Sequence, residues 1–157
     1  MKQTLNLPPV KLRLREEGGI TKVFDPLRNK YVAFTPEENV RQHFTSWLAR
    51  NFHYPPALMA NEIGIDVNGT RKRCDTVVFG RDGHPLLIVE YKSPDVNVTQ
   101  DVFDQIVRYN MELKARYLIV SNGLSHYCCR IDYERFSYHF IPRIPDYNDI
   151  TTAFSAN

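Results

Sequence analysis

The run Leu86-Leu87-Ile88-Val89 is apolar at every position and gives way at once to Glu90-Tyr91-Lys92. A strand with one solvated face alternates apolar and polar residues, whereas one that is apolar throughout is buried on both faces. A chain that contains it must cover a sheet from both sides, and helices are the usual cover. Two helical patterns flank the run. Thr35-Pro36-Glu37-Glu38 offers an N-cap, a proline at the first helical position and an acid at the third, which opens a helix expected to reach about Phe52. Val102, Phe103, Ile106, Val107 and Met111 recur at helical spacing from about Thr99 to Leu113.

Between these helices lie three extended stretches, about Ala60 to Val67, Arg73 to Phe79 and Pro85 to Tyr91. Asn68-Gly69 and Asp82-Gly83 separate them, and both dipeptides favour two-residue hairpin loops. Tyr117 to Val120 reads as a further strand ending at Asn122-Gly123. The core order is therefore αβββαβ, an α/β fold with a mixed central sheet flanked by helices. Val10 to Phe24 alternates around Glu17-Gly18-Gly19 and predicts an N-terminal hairpin, while Tyr127 to Ile131 and Phe136 to Ile141 predict extra C-terminal strands before Pro142 and Pro145 loosen the tail. At 157 residues the chain is expected to form one domain, with a β arm over 1–30, a core over 35–122 and C-terminal strands and tail over 123–157.

Composition narrows the function classes. Apolar residues at 43% and charged residues at 24% are ordinary globular values, which exclude a disordered or fibrous chain. A net charge of +2 permits nucleic-acid binding without requiring it. Cys74, Cys128 and Cys129 are odd in number, include an adjacent pair and form no C-x-x-C, so they are expected to be reduced, packed thiols of a cytoplasmic protein rather than disulfides or zinc ligands. No stretch has the length of a membrane span or the pattern of a signal sequence, so no membrane partner is expected. Neither H-E-x-x-H nor a serine nucleophile elbow occurs.

The acidic end of the apolar strand carries the chemistry. If Asp82-Gly83 forms a two-residue loop, Arg81 faces His84, and counting outward sets Asp75 across from Glu90 with Lys92 on the same face. Facing carboxylates destabilise a sheet by up to ~1 kcal/mol, which a divalent cation and an ammonium would offset. Asp75 and Glu90 would then hold Mg²⁺ or Mn²⁺ with help from the Tyr91 carbonyl, and Lys92 would orient or activate a water. On spacing alone, strand-end carboxylates paired with Lys92 or with Arg71-Lys72-Arg73 explain the same residues.

Asp75, fourteen residues, then Glu90-Tyr91-Lys92 resembles the PD-(D/E)XK nuclease superfamily. Gln105-Ile106-Val107-Arg108-Tyr109 matches the Q-x-x-x-Y pattern of its RecB-like members, whose core order is similar to the one above. A closer resemblance is to the N-terminal nuclease-like domain of type I restriction-enzyme R subunits. It is carried by Phe24-Asp25-Pro26-Leu27-Arg28, Tyr31-Val32, Thr35-Pro36-Glu37-Glu38, Val40-Arg41-Gln42, Arg73-Cys74-Asp75 and Ser121-Asn122-Gly123, over about residues 20 to 130. The resemblance implies a Mg²⁺- or Mn²⁺-dependent DNA endonuclease with Asp75, Glu90, Lys92 and Gln105 in its site and a glutamate from the first helix. Helix phase favours Glu37, which falls on the apolar face, whereas Glu38 has a role in a capping box with Thr35. Glu62, paired with Asp75 by an Asn68-Gly69 loop, is a secondary candidate.

Arg41, Arg71, Arg73 and Tyr109 are expected to contact nucleic acid. No G-x-x-x-x-G-K-[ST] loop is present, so either a separate motor or specificity subunit supplies that function or the protein works without it, and two cuts in a duplex leave a homodimer open. Two other readings stand beside the DNA nuclease: a non-catalytic nucleic-acid- or partner-binding module, and an RNA-processing nuclease.

Overall fold

The structure, a computed structural model, describes residues 4–155, the side chains of 152–155 excepted, so the outermost ends of the expected arm and tail lie outside it. The arm opens with β1 (Leu14–Glu17) and β2 (Ile20–Asp25), joined by Gly18-Gly19. Both glycines have positive φ, as a tight two-residue hairpin turn demands. The expected hairpin gains a strand not read from the sequence, β3 (Lys30–Ala33), which pairs antiparallel with β2 to make a separate three-stranded sheet. Its connection is set by Asp25, whose carboxylate accepts from the Leu27 amide at 3.0 Å and from the Arg28 guanidinium.

Helix α1 (Pro36–Asn51) begins where its signals place it, with Thr35 Oγ1 accepting from the Glu38 amide at 3.0 Å. Strands β4 (Met59–Val67), β5 (Thr70–Phe79) and β6 (Pro85–Tyr91) follow as an antiparallel meander. Then come α2 (Gln100–Asn110), a short 3₁₀ turn and β7 (Tyr117–Ser121), and β7 lies parallel to β6 because α2 carries the chain across. Strands β8 (His126–Asp132) and β9 (Ser137–Ile141) extend the sheet in the order β4-β5-β6-β7-β8-β9. The α-β-β-β-α-β order and the mixed sheet are as expected.

Leu86, Leu87, Ile88 and Val89 are no more than 2% exposed, which confirms burial on both faces. Leu87, Val89 and Tyr91 pack with Val40, Phe44 and Leu48 of α1, while Ile88 packs with Phe103 and Val107 of α2. The tail is a correction. After Pro145 the chain forms α3 (Tyr147–Ser155), whose Tyr147 and Ile150 enter the α1-side core. Asp146 Oδ1 caps the Asn148 amide at 3.0 Å, so the two prolines lead into a helix start rather than a loose end. No helix among the described residues is long and apolar enough to cross a membrane.

Candidate metal centre

Asp75 and Glu90 are brought together by a register that the sequence count reaches through two compensating departures. The β5–β6 connection has three residues, Arg81-Asp82-Gly83, closed by Gly80 N–H to His84 O at 2.9 Å and Gly83 N–H to Gly80 O at 3.0 Å. Gly83 sits at φ +88, the left-handed position that ends such a loop. This corrects the expected two-residue loop. A bulge then intervenes, since Phe79 pairs with Pro85 but Val78 pairs with Leu87, leaving Leu86 as an extra residue. One added loop residue and one bulged residue cancel, and the ladder resumes at Val78↔Leu87 and runs to Thr76↔Val89, with Asp75 and Glu90 next in line.

The ladder stops there. Asp75 Oδ2 instead accepts from the Tyr91 amide at 2.9 Å, so its side chain sits in the fork where β5 leaves β6. Cys74 and Val77 both pack in the α2-side core although they are three positions apart, which in a regular strand would place them on opposite faces, so the alternation of β5 slips at this fork. On the opposite strand Glu62 falls across from Asp75 by the register on either side, with φ +52, unusual for a residue that has a Cβ.

Glu90 Oε1 is buried and has no hydrogen-bond partner. Burial first, and then the negative charge of Asp75, push the Glu90 carboxyl well above the usual range; Lys92 and Asn110 draw it back. An acid raised in this way is protonated in the folded chain where the unfolded chain has already released its proton. Its contribution to stability is complete below the ordinary carboxylate range and is lost as pH rises toward the folded value. Thermal melting in metal-free buffer should therefore show the wild type losing more stability between pH 5 and pH 8 than Glu90→Gln, and parallel curves would refute this.

A buried acceptor with no donor is what a hard cation would satisfy. The carboxylates of Asp75 and Glu90 are oxygen donors that could hold Mg²⁺ or Mn²⁺, which take one or two carboxylates and complete their shells with water and phosphate. Among the described residues no group of three His, Cys, Asp or Glu side chains is placed to share a metal, so the fit is that of a two-carboxylate site. Lys92 is half-buried, its charge acts on Glu90, and its amide donates to Ser121 O at 2.9 Å.

The helix glutamates are placed differently from the phase argument. Glu37 is exposed, whereas Glu38 is 4% exposed. Phase treats the helix as a uniform cylinder over an apolar face, but the first turn of α1 lies against the β2–β3 connection, whose Arg28 Nη2 reaches Glu38 Oε1 at 2.7 Å. Arg41 Nε and Gln42 Nε2 bind Glu38 Oε2 at 3.1 and 2.9 Å. Burial would raise the Glu38 carboxyl, yet the bonds from Arg41, Arg28 and Gln42 outweigh it and hold the group below its ordinary range. The capping box is half made, because the Thr35 amide donates to Ala33 O rather than to Glu38. Glu38 is thus tied into ion pairs and faces away from cation-binding duty.

The expected phosphate contacts also divide. Arg41 is buried, bonded to Glu38, to Glu62 Oε1 at 3.0 Å and to the Asp75 carbonyl at 2.8 Å, so it does not present a free charge to a ligand. Arg73 is exposed and reaches Glu62 Oε2 at 3.1 Å, and Arg71 is exposed beside Asp66 at 3.1 Å. The Tyr109 hydroxyl accepts from the Arg73 amide at 3.2 Å, and Lys72 Nζ stands 4.4 Å from the centre of its ring. Gln105 is exposed on α2, and among the described residues its side chain makes no hydrogen bond. The three cysteines are free and buried, and burial pushes their thiols up to about 12, in keeping with inert packed residues.

Some participants had no sequence signal. Asn110 is 1% exposed, donates to Ile106 O at 2.8 Å and leaves its Oδ1 without a partner beside Glu90. A buried relay runs from Tyr91 Oη to Thr76 Oγ1 at 2.9 Å, from Thr76 to Asn61 Oδ1 at 2.7 Å and from Asn61 to Asp25 at 3.1 Å. Asn122 Nδ2 pins the loop after β6 through Val96 O at 2.8 Å, next to Lys92. The motif residues Asp25, Arg28, Glu38, Arg41, Gln42, Ser121 and Asn122 are therefore framework around the carboxylate pair.

A family model described as the type I restriction enzyme R protein N terminus matches residues 36–145, a span that holds Glu38, Arg41, Asp75, Glu90, Lys92 and Asn110. Among solved structures, the chain is similar to the fragment structure of a protein described as an HsdR subunit of a type I restriction enzyme from Vibrio vulnificus YJ016, with a TM-score of 0.55 and 19% sequence identity. The likeness covers 78% of this chain and 26% of that one, so the chain spans about a quarter of its length, and at that identity it speaks for the fold alone. No curated protein matches the chain.

Proposed function

This chain belongs to the family of type I restriction enzyme R protein N termini, and on that footing we propose that it is a Mg²⁺-dependent DNA endonuclease domain with a PD-(D/E)XK core. The observation that carries the reading is the buried, partnerless Glu90 Oε1 beside Asp75 at the fork of β5 and β6. Asp75 and Glu90 hold the cation through oxygen, with the Tyr91 carbonyl as a third donor. Bound there, a divalent cation supplies Lewis-acid polarisation of a phosphate oxygen and lowers the pKa of a water. Lys92, at the end of the same strand, orients that water and stabilises negative charge developing on the phosphate as the scissile P–O bond breaks. Exposed Arg71 and Arg73 and the Tyr109 edge steer the backbone of the nucleic acid toward the fork. Other subunits of a cytoplasmic restriction system would supply target choice and motion, and a second copy would supply the second cut.

One observation favours a second reading, a non-catalytic nucleic-acid- or partner-binding module. Glu38 and Glu62 are held in ion pairs, which leaves two carboxylates at the fork. Incubation of the chain with supercoiled plasmid, linear DNA and single-stranded RNA, in Mg²⁺ and in EDTA, separates these readings. Metal-dependent nicking of DNA is the expected result. Retention of DNA without cutting in either buffer would overturn it in favour of the module, and cleavage of RNA alone would move the substrate.

A further inference from the structure

We propose that Arg41 is a positioning residue for the Asp75–Glu90 site: its guanidinium, locked by Glu38, stands in for the strand partner that the Asp75 backbone lacks, and so fixes the carboxylate where a cation meets it. The proposal rests on Asp75 and Glu90 being the metal ligands proposed above.

The β4–β5 ladder runs from Met59↔Val78 to Val67↔Thr70 with one pair missing, Glu62 and Asp75. The β5–β6 ladder stops at Thr76↔Val89, one residue short of the same position. Asp75 thus stands between two strands without a ladder pair to either, at the residue whose side chain must be held most firmly. A part-buried carbonyl left in that state is best satisfied by a donor from elsewhere. Arg41 Nη1 provides it at 2.8 Å, and Nη2 of the same guanidinium reaches Glu62 Oε1 at 3.0 Å. One side chain from α1 therefore ties both members of the missing pair. It also secures the left-handed backbone of Glu62, a conformation that persists only where its surroundings over-determine it.

The guanidinium is itself fixed. Nε and Nη2 form a fork on the two oxygens of Glu38 at 3.1 and 2.8 Å, and Arg28 and Gln42 hold Glu38 in turn. At 7% exposure, Arg41 has little freedom to turn toward solvent. A lysine preserves the charge but has a single ammonium, and it cannot grip Glu38 while bridging Asp75 and Glu62.

The test uses the full chain with Mn²⁺ as the probe, read by isothermal titration. DNA duplex binding is read separately by fluorescence anisotropy in metal-free buffer, and folding by melting curves. Arg41→Lys should weaken Mn²⁺ binding by roughly 10–100-fold, the range seen when a residue supporting a ligand is lost, and should leave metal-free DNA affinity within about twofold. A purely structural role would lower the melting temperature and leave the Mn²⁺ affinity of the folded chain unmoved, which overturns the proposal. A loss of DNA affinity with wild-type Mn²⁺ affinity also overturns it and sets Arg41 at the phosphates. Should Arg41→Lys not fold, Glu38→Gln, which keeps the side chain's size while loosening the lock, must show the same split, and a wild-type Mn²⁺ affinity there is equally fatal. Asp75→Asn distinguishes the two levels: if it binds Mn²⁺ as the wild type does, the metal assignment itself has failed, whatever Arg41 does.

Discussion

Lys92→Ala is expected to lower the rate of Mg²⁺-dependent DNA cleavage by roughly 10²–10³-fold, the usual cost of removing one donor aimed at developing charge. DNA affinity should change little, because the exposed Arg71 and Arg73 and the Tyr109 edge remain. The argument rests on position. Lys92 follows Tyr91 at the end of the apolar strand, its amide is fixed to Ser121 O, and its charge is felt by Glu90. The fold does not depend on the ammonium, since Lys92 is only half-buried and makes no ion pair among the described residues. A melting temperature close to that of the wild type should accompany the loss. Cleavage at the wild-type rate would remove Lys92 from the mechanism.

The second large effect is on stability and separates two neighbouring glutamates. Glu38→Ala should cost about 3–5 kcal/mol, because it leaves Arg28 and Arg41 facing each other in a buried setting without their shared counter-ion. At ~2–4 °C per kcal/mol for a domain of this size, the melting temperature should fall by roughly 6–20 °C. Glu37→Ala, on an exposed side chain one residue away, should stay within about 0.5 kcal/mol. Denaturant or thermal melts of the two variants side by side check the contrast. Equal effects, or a larger one at Glu37, would contradict the burial pattern of the first turn of α1.

The elements set by local pattern were legible in the sequence. Thr35-Pro36 marked the start of α1, the all-apolar run marked the central strand β6, and Gly18-Gly19 and Asn68-Gly69 marked real two-residue loops. That Asp75 and Glu90 fall in line with each other, one step beyond the last ladder pair, was also legible, though by a register in which a longer loop and a bulge at Leu86 cancel. Glu62 opposite Asp75 followed from the Asn68-Gly69 loop in the same way. What was not legible depends on contacts between distant segments. Burial of Glu38 rather than Glu37 requires Arg28, ten residues earlier, to be folded against the helix. The inward turn of Arg41 requires a gap in the ladder 34 residues later. Asn110 has no motif to announce it, and its relation to Glu90 exists only once α2 lies over β6. Strand β3 and helix α3 were missed because Tyr31-Val32 is a short apolar stretch and because two prolines suggested an ending where Asp146 instead caps a helix.

The central claim is that Asp75 and Glu90 hold a divalent cation, and a crystal structure of the chain grown with Mn²⁺, with data collected at the manganese edge, tests it most directly. The account predicts an anomalous peak at the fork of β5 and β6, with oxygens of Asp75 and Glu90 at ~2.1 Å and the rest of the shell filled by water. Mn²⁺ bound elsewhere, with no peak between the carboxylates of Asp75 and Glu90, would contradict it.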